Sequence, residues 1–570
     1  MDKEAKKIIR KLAIKNAFDY GKADFKAVLG KAIAKVPGAK ENMKLLSELV
    51  NEIVGEVNLL AREEIEKEYG KYEEEFKEEE KKKLEESKPK LDLPGAVVGE
   101  FATRFPPEPS GYMHIGHAKV AYLEDEFAKI YKGKLFLYFD DTNPEKESQE
   151  YVDAFKRDLE WLGIKFDGEY YASDHLEEIY KYAKELIKKG KAYVCTCNPE
   201  TIKRNRFNGI ACIHRDHSIE ENMKLFEDML SGKFNEGEAV LRFKGDLKSQ
   251  NTVMRDPTLI RIKKTPHYRQ GKKYILWPTY DMNTPIMDSI HGITDVIRSK
   301  EYELRTELDL AILEELGLRK PRIHHEARLA IRDIPTQKRV INKLIKEGIV
   351  KGFDDPRLVT VAALRRRGIR PEAIRKFVLR FGMSRAESYM DINMLLDENR
   401  KIIDSSAKRL FAVLEPVELE VKDAGNVHVK LRLHPTADLG YREYEVGNKL
   451  YISRKDAEKL GEGRKVRLKD LYNIEVLERK GSAIIGRYIG NDAIDADKIQ
   501  WVDIGNCTEI TLISPKPLLK GGKINKESLE TKKAIAEKFV ERIKKDEVVQ
   551  FERVGFFKLD DVEKKEFIEL

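Results

Sequence analysis

Residues 103–119 read T-R-F-P-P-E-P-S-G-Y-M-H-I-G-H-A-K, and the fold is decided there. An apolar run (Val97, Val98, Phe101, Phe105) leads in, a Pro/Gly/Ser turn fills the middle, and a helical pattern follows at Ile115, Ala118, Tyr122, Phe127 and Ile130. A strand, a tight loop and a helix N-terminus in that order aim free backbone N–H groups and a positive dipole end at an anion. His114 and His117 lie three apart on the first turn, so both rings are expected at the same point. Gly116, between them, would let a flat ring system such as adenine lie against the backbone. Two histidines at a helix start are, taken alone, more often surface caps. Joined to Pro106, Pro107, Pro109, Ser110 and Gly111 at the opening of a β-α unit, they point instead to an anion site.

Outward from this stretch, 570 residues with 41% hydrophobic content supply several cores, and roughly three to five domains are expected. Charged residues make up 36%, against about 25% in an average domain. Lys and Glu dominate that excess and only six glutamines occur, a pattern that fits a heat-adapted host. A net charge of +7 is compatible with a polyanionic partner but too mild to establish one. The sequence carries no run of 18 apolar residues and no basic-then-apolar leader, so a cytoplasmic protein with no membrane association is expected. Four cysteines, three of them close together, argue against a disulfide framework.

At F-P-P-E-P-S-G-Y-M-H-I-G-H the chain resembles the glutamyl/glutaminyl branch of the class I aminoacyl-tRNA synthetases, most closely the archaeal and eukaryotic type of glutamyl enzyme. The resemblance implies a Rossmann-type nucleotide fold in which Pro107, Gly111, Gly116, Arg328, Leu329 and Lys338 bind ATP. After the H-I-G-H helix, the apolar Leu135–Phe139 run is consistent with a buried parallel strand. It ends in Asp140-Asp141-Thr142-Asn143-Pro144, at the crevice where open α/β sheets bind ligands, though Asp141, Thr142 or Asn143 could equally cap the next helix. By resemblance, Asp140 sits near the substrate amino group, while Tyr138 stands where the family usually has Arg. The run Tyr274–Trp277 reads as a strand opening the second half of the fold. In the following segments the resemblance assigns Tyr280 and Arg298 to the amino-acid pocket, and Arg104 to the α-carboxylate. A guanidinium fork bonds both oxygens of a side-chain carboxylate, so Arg298 favours glutamate over glutamine. Thr284 departs from the Asn of some bacterial members. The mobile lysine loop of the class corresponds to Pro335-Thr336-Gln337-Lys338-Arg339, with Gln337 in place of Ser; Gly382-Met383-Ser384-Arg385 lies too far downstream and reads as a helix start.

Cys195-Thr196-Cys197 and, after a fourteen-residue gap, Cys212-Ile213-His214 form two close pairs of soft ligands able to wrap a tetrahedral Zn²⁺, with His217 as an alternative fourth donor. Some glutamyl enzymes show a similar arrangement, and a structural rather than catalytic role is expected. Residues 320–408 read as helical, and Arg365–Arg367 are expected to meet RNA phosphates. From Phe411 short alternating strands suggest β-barrels. They look like the anticodon-binding barrels of the branch, with Arg442 a base reader and Trp501 a core residue.

The expected organisation is multidomain α/β. A helical N-terminal extension (1–92) precedes the first Rossmann half of the parallel-sheet catalytic domain (93–190). An inserted acceptor-stem and zinc region (191–255), the second half (256–320), a helical stem-contact domain (321–408) and antiparallel anticodon-binding β-barrels (409–570) follow. The charge run from Glu63 to Lys90 reads as a solvated helix or tether, and a protein partner for the N-terminal helices is left open. The resemblance implies ATP-dependent ligation of L-glutamate to tRNA(Glu) through an adenylate. His114, His117 and Lys338 would stabilise charge on the phosphates, with Mg²⁺ bound alongside the nucleotide. Charging of tRNA(Gln) stays open, as do two rivals: a glutaminyl-tRNA synthetase and a non-catalytic RNA-binding paralogue.

Overall fold

A computed structural model describes residues 3–36, 39, 42–72, 74–76, 91–481 and 483–570. The chain divides into two compact units, Met1–Pro89 and Lys90–Leu570. The first holds four helices: α1 (Lys3–Tyr20), α2 (Phe25–Lys35), α3 (Met43–Asn58) and α4 (Arg62–Gly70). In α3, Leu46, Leu49, Val50, Ile53, Val54 and Val57 recur at helical spacing and are all buried. They share one core with Ile9, Ala13 and Ala17 of α1. Asp24 caps α2 by accepting from Ala27 N at 2.8 Å, and Phe18 stacks on Tyr69 at 3.8 Å to hold α4 to α1. The expected charged helix or tether is helical to Gly70 and again at 74–76; residues 73 and 77–90 lie outside the described residues. Among the described residues no helix is long and apolar enough to cross a membrane.

The second unit opens with β1 (Ala102–Phe105), α5 (Ile115–Ile130), β2 (Lys134–Phe139) and β3 (Gly168–Tyr171). These strands pair in parallel in the order β1-β2-β3, with Arg104 opposite Phe136 and Tyr138 opposite Tyr170. Next in the chain are β4 (Ala192–Cys195), β5 (Val240–Phe243), β6 (Thr258–Ile262) and β7 (Leu276–Pro278), an antiparallel sheet in that order. Then come β8 (Asp295–Ser299) and β9 (Arg322–Glu326), again parallel. Thr294 N donates to Ala102 O at 2.8 Å, so β8 begins beside β1. The strand order therefore reverses between β1 and β8, and a ligand crevice is expected beyond the C-terminal ends of strands flanking such a reversal. The Tyr274–Trp277 run does not open a parallel half-sheet: its C-terminal part becomes β7, the edge of the antiparallel sheet, where Pro278 needs no ladder N–H.

Helices Lys338–Lys346, Val361–Arg367, Pro371–Leu379 and Ile392–Ile403 follow. Gly382–Arg385 does not start a helix; its Ser384 carbonyl accepts from Ala327 N at 2.7 Å, and a short strand, Ser388–Met390, intervenes before Ile392. From Lys408 the chain builds two seven-stranded, mainly antiparallel sheets. In one of them the two edge strands, Lys408–Leu410 and Ala412–Leu414, are consecutive in the chain with only Phe411 between them. Trp501 is fully buried in the core of the other, as its strand context suggested, and its Nε1 donates to Lys469 O at 2.8 Å.

Two expectations about arginines meet ion pairs within the fold. Arg365 and Arg366 pair with Asp158 (3.2 Å) and Asp560 (2.8 Å), and buried Arg367 donates to Glu569 O at 3.0 Å. The triplet thus ties its helix to the body of the unit, and only Arg365 and Arg366 keep exposed surface. Arg442 is 2% exposed. Its Nε donates to Glu537 Oε2 at 2.6 Å, its Nη1 to Arg432 O at 2.8 Å, and its guanidinium lies over Phe411. A guanidinium so enclosed offers nothing to a base. Its physical role is to fasten the hairpin Val427–Arg432/Tyr441–Val446 to strand Leu529–Glu537. Removing one member of a buried pair leaves the other uncompensated, so Arg442→Met should lower the unfolding free energy by about 3–5 kcal/mol. Adding Glu537→Gln should recover part of that loss. Denaturant melts of both variants test this, and an unchanged midpoint for the single variant would refute it.

Candidate active site

β1 ends at Phe105, the proline-rich turn follows, and α5 starts with His114 as its N-cap. His114 Nδ1 accepts from Gly116 N (3.1 Å) and His117 N (3.4 Å), and His117 Nδ1 accepts from His114 N (3.3 Å). The two imidazoles form a reciprocal capping box and stack with centroids 3.8 Å apart. Ile115 N donates to Val359 O at 3.0 Å. The free N–H groups expected at this helix start are therefore already taken, three by the histidines themselves and one by the Val359 carbonyl. Gly116 is also accounted for differently: a Cβ there would stand 2.9 Å from His114 Cε1, so the close-lying ring excludes any side chain.

Burial, with His117 and Arg328 nearby, holds His114 well below its usual range; burial and Arg328 bring His117 down to about 4. Both rings are neutral near pH 7. Each Nδ1 accepts, so the ring proton resides on each Nε2, and the pair offers two neutral N–H donors rather than two cations.

These rings line a cavity of about 680 Å³ that also takes in every other residue expected to bind ATP or glutamate. Toward one part, Pro107, Gly111, Gly116, Arg328, Leu329 and Lys338 contribute. Lys338 begins its helix, its stem lies over Gly111 (a Cβ there would be 3.3 Å from Cδ), and its ammonium donates to Ser110 O, 4.5 Å from the Tyr151 ring centroid. Toward another, Arg104, Asp140, Tyr280 and Arg298 contribute. These come from the ends of β1, β2 and β8 and the start of helix Tyr280–Ile290, the places that the strand reversal makes adjacent.

Arg104 pairs bidentately with Asp288 (Nε 2.6 Å, Nη2 3.0 Å), leaving Nη1 without a partner. Arg298 Nη1 donates to Tyr280 Oη (3.0 Å) and Asp309 (2.7 Å), its Nη2 to Thr306 (2.9 Å), and its Nε has no partner. The two-pronged grip expected of Arg298 is thus partly taken up by Asp309. Both guanidinia line the cavity, and each also keeps one fully buried N–H without a protein partner. Asp140 is pushed up to about 7 by burial, with Glu108 and Asp141 adding repulsion. Its Oδ1 accepts from Asn283 Nδ2 at 3.0 Å and Thr142 Oγ1 at 3.3 Å. Asn283, and not the neighbouring Thr284, makes the polar contact here. Tyr302 and Arg305, both against the Tyr280 ring, also line the cavity. They sit on the short 3-10 segment Lys300–Arg305, whose charge-rich sequence shows no periodicity that could have singled them out.

The four soft ligands converge elsewhere in the unit. Cys195 Sγ lies 3.7 Å from Cys212 Sγ and 3.8 Å from His214 Nδ1, with Cys197 Sγ 3.4 Å from His214 Nδ1. A tetrahedral ion with about 2.3 Å bonds to sulfur and 2.0–2.1 Å to nitrogen separates its ligands by about 3.5–3.8 Å. The four ligand atoms all fall within 4.8 Å of one another, a set His217 does not join. His214 Nε2 meets Thr196 Oγ1 at 2.9 Å, which orients the ring. All four cysteines of the chain are free thiols.

Known proteins share this organisation. Residues 100–405 match the catalytic domain of the tRNA synthetases class I (E and Q), and residues 407–488 and 498–560 match two anti-codon binding domains of the same group. A glutamate–tRNA ligase of Nitrosopumilus maritimus is 43% identical over 98% of each chain, and one of Pyrococcus furiosus is 40% identical over 99% of each. The solved glutamate tRNA ligase of Elizabethkingia meningosepticum aligns with 54% of this chain and 71% of its own, at 20% identity and a TM-score of 0.41. With more than half its length in the catalytic-domain match and such relatives along its whole length, this chain belongs to the class I tRNA synthetases of the E and Q group.

Proposed function

We propose that this chain ligates L-glutamate to the 3′ end of tRNA(Glu) through a glutamyl-adenylate. The supporting observation is that one cavity is lined by two neutral imidazoles, a lysine on a helix start and two guanidinia. The glutamate α-carboxylate attacks the α-phosphorus of ATP and pyrophosphate leaves. The terminal ribose hydroxyl of the tRNA then attacks the carbonyl carbon, and AMP leaves. No enzyme nucleophile is required, so the residues act by alignment and by stabilising charge on the phosphates. His114 and His117 donate from Nε2, and Lys338 exchanges Ser110 O for a phosphate oxygen. Arg298 and Arg104 receive the substrate carboxylates, and Asp140 receives its ammonium. Among the described residues the grouping placed to hold a metal is the cysteine cluster, so Mg²⁺ would arrive coordinated by the triphosphate.

The inserted region, residues 191–255, serves the acceptor end, with Cys195, Cys197, Cys212 and His214 holding a structural Zn²⁺. The two C-terminal sheets act as anticodon-binding barrels. With Arg442 enclosed, the anticodon contact falls to the cavity of about 530 Å³ where Arg409, Lys430, Arg432, Lys469 and Arg553 outnumber Asp470 and Glu552, and where Arg432 has no acidic partner among the described residues. Mixed guanidinium and ammonium groups there suit phosphates and base edges.

Aminoacylation with glutamate and with glutamine, each on tRNA(Glu) and tRNA(Gln), tests the assignment. Charging of tRNA(Glu) with glutamate is expected, and a preference for glutamine would overturn it. Lys338→Ala should slow tRNA-dependent pyrophosphate exchange by about 100- to 1,000-fold, while the glutamate KM changes by less than about 3-fold. Equal losses in both would remove Lys338 from phosphate stabilisation. Protein purified without chelator should carry one zinc per chain, and Cys212→Ser should lower both zinc content and thermal midpoint. Sub-stoichiometric metal in the parent protein would refute the zinc site.

A further inference from the structure

Resting on that reading, we infer that Asn283 is a positioning residue for the amino-acid step: anchored by Tyr138, its amide orients the Asp140 carboxylate toward the substrate ammonium. Asn283 is fully buried on helix Tyr280–Ile290, and Tyr138 is 3% exposed on β2, two residues before Asp140. Asn283 Nδ2 donates to Tyr138 Oη at 3.0 Å and to Asp140 Oδ1 at 3.0 Å, while Tyr138 Oη returns a donation to Asn283 Oδ1 at 3.2 Å. The amide therefore spends both its hydrogens and its carbonyl on residues of a single strand end. Turned over, it would set its oxygen against the ionised Asp140 carboxylate, acceptor against acceptor, so the ionised acid selects this orientation.

Burying an amide is unfavourable unless it is fully bonded, and an aliphatic side chain would fill this space without that cost. Tyr138 makes no other side-chain hydrogen bond among the described residues, so its hydroxyl has no evident purpose apart from holding Asn283. What the pair gains is control of Asp140. Asn283 and Thr142 both bond Oδ1, and no described residue donates to Oδ2, which remains for the cavity that Asp140 lines. Burial and two neighbouring acids work against ionisation of this carboxyl, and a donated hydrogen bond favours the charged form that an ammonium requires. The departure of Tyr138 from the arginine usual in the family thus acquires a physical meaning. An uncharged phenol anchors an amide where a cation would otherwise neutralise the acid directly.

The test compares Asn283→Leu, close in shape but without the amide, with Tyr138→Phe, which removes only the anchoring hydroxyl. Pyrophosphate exchange with tRNA present gives the KM for glutamate and for ATP, and inhibition by glutarate, which lacks the α-amino group, isolates the carboxylate contacts. Asn283→Leu should raise the glutamate KM about 10- to 100-fold, the worth of a hydrogen bond to a charged group, and leave the ATP KM and glutarate inhibition within about 2-fold. Tyr138→Phe, the variant less exposed to misfolding, should shift the glutamate KM in the same direction by about 3- to 10-fold. An unchanged glutamate KM in both variants, or glutarate weakened as much as glutamate, would overturn the inference with the proposed activity intact. If the parent protein gives no glutamate-dependent exchange, the proposed activity itself fails and the inference with it.

Discussion

A bidentate ion pair between Arg104 and Asp288, both buried and 184 positions apart, is the constraint on which the cavity depends. Arg104 lies on β1 and Asp288 on the helix just before β8, so the pair joins segments that the β4–β7 sheet separates in sequence. Neither charge is tolerable alone in that interior, and each therefore enforces the other's position. With Thr294 hydrogen-bonded to Ala102, it brings β8 beside β1 and creates the strand reversal. Asp140, Arg298 and the histidine turn are carried to one place as a result.

The side chains that line the cavity are held by their own short-range bonds. The imidazoles cap their own helix, the Asn283 amide is locked between Tyr138 and Asp140, and Asp309 and Thr306 hold the Arg298 guanidinium. Donors fixed before a ligand arrives need little rearrangement when charge develops on it, which is where such sites gain most. Lys338 differs: its ammonium rests on a backbone carbonyl, a contact with no charge to hold it.

Much of this was legible in the sequence because it depends on local pattern. The proline-rich turn with H-I-G-H is a contiguous signature, Leu135–Phe139 is a plainly buried strand, and the cysteine spacing admits few arrangements. What sequence could not supply was partnership across the chain. Arg442 sits in an exposed-looking Gly-Tyr-Arg-Glu segment, and only the fold brings Glu537 against it. Arg365–Arg367 look like a cationic face until Asp158 and Asp560 are placed beside them. The free helix-start amides failed as an expectation for the opposite reason: their acceptors are mostly the adjacent histidines, close in sequence but invisible without side-chain geometry. Asn283 was overlooked next to Thr284 because a one-residue step on a helix turns a side chain by about 100°.

The C-terminal sheet bounded by Lys408–Leu410 and Ala412–Leu414 has a further consequence. An open sheet margin is a template on which a foreign strand can add, and long flat margins seed aggregation. Here both margins are three-residue pieces of one continuous segment, turned at Phe411, whose own amide is bonded to Glu537 at 2.6 Å. Neither rim is long enough to recruit another chain. A protein that must display broad β surface to a flexible polyanion can do so while resisting self-association through its unpaired backbone.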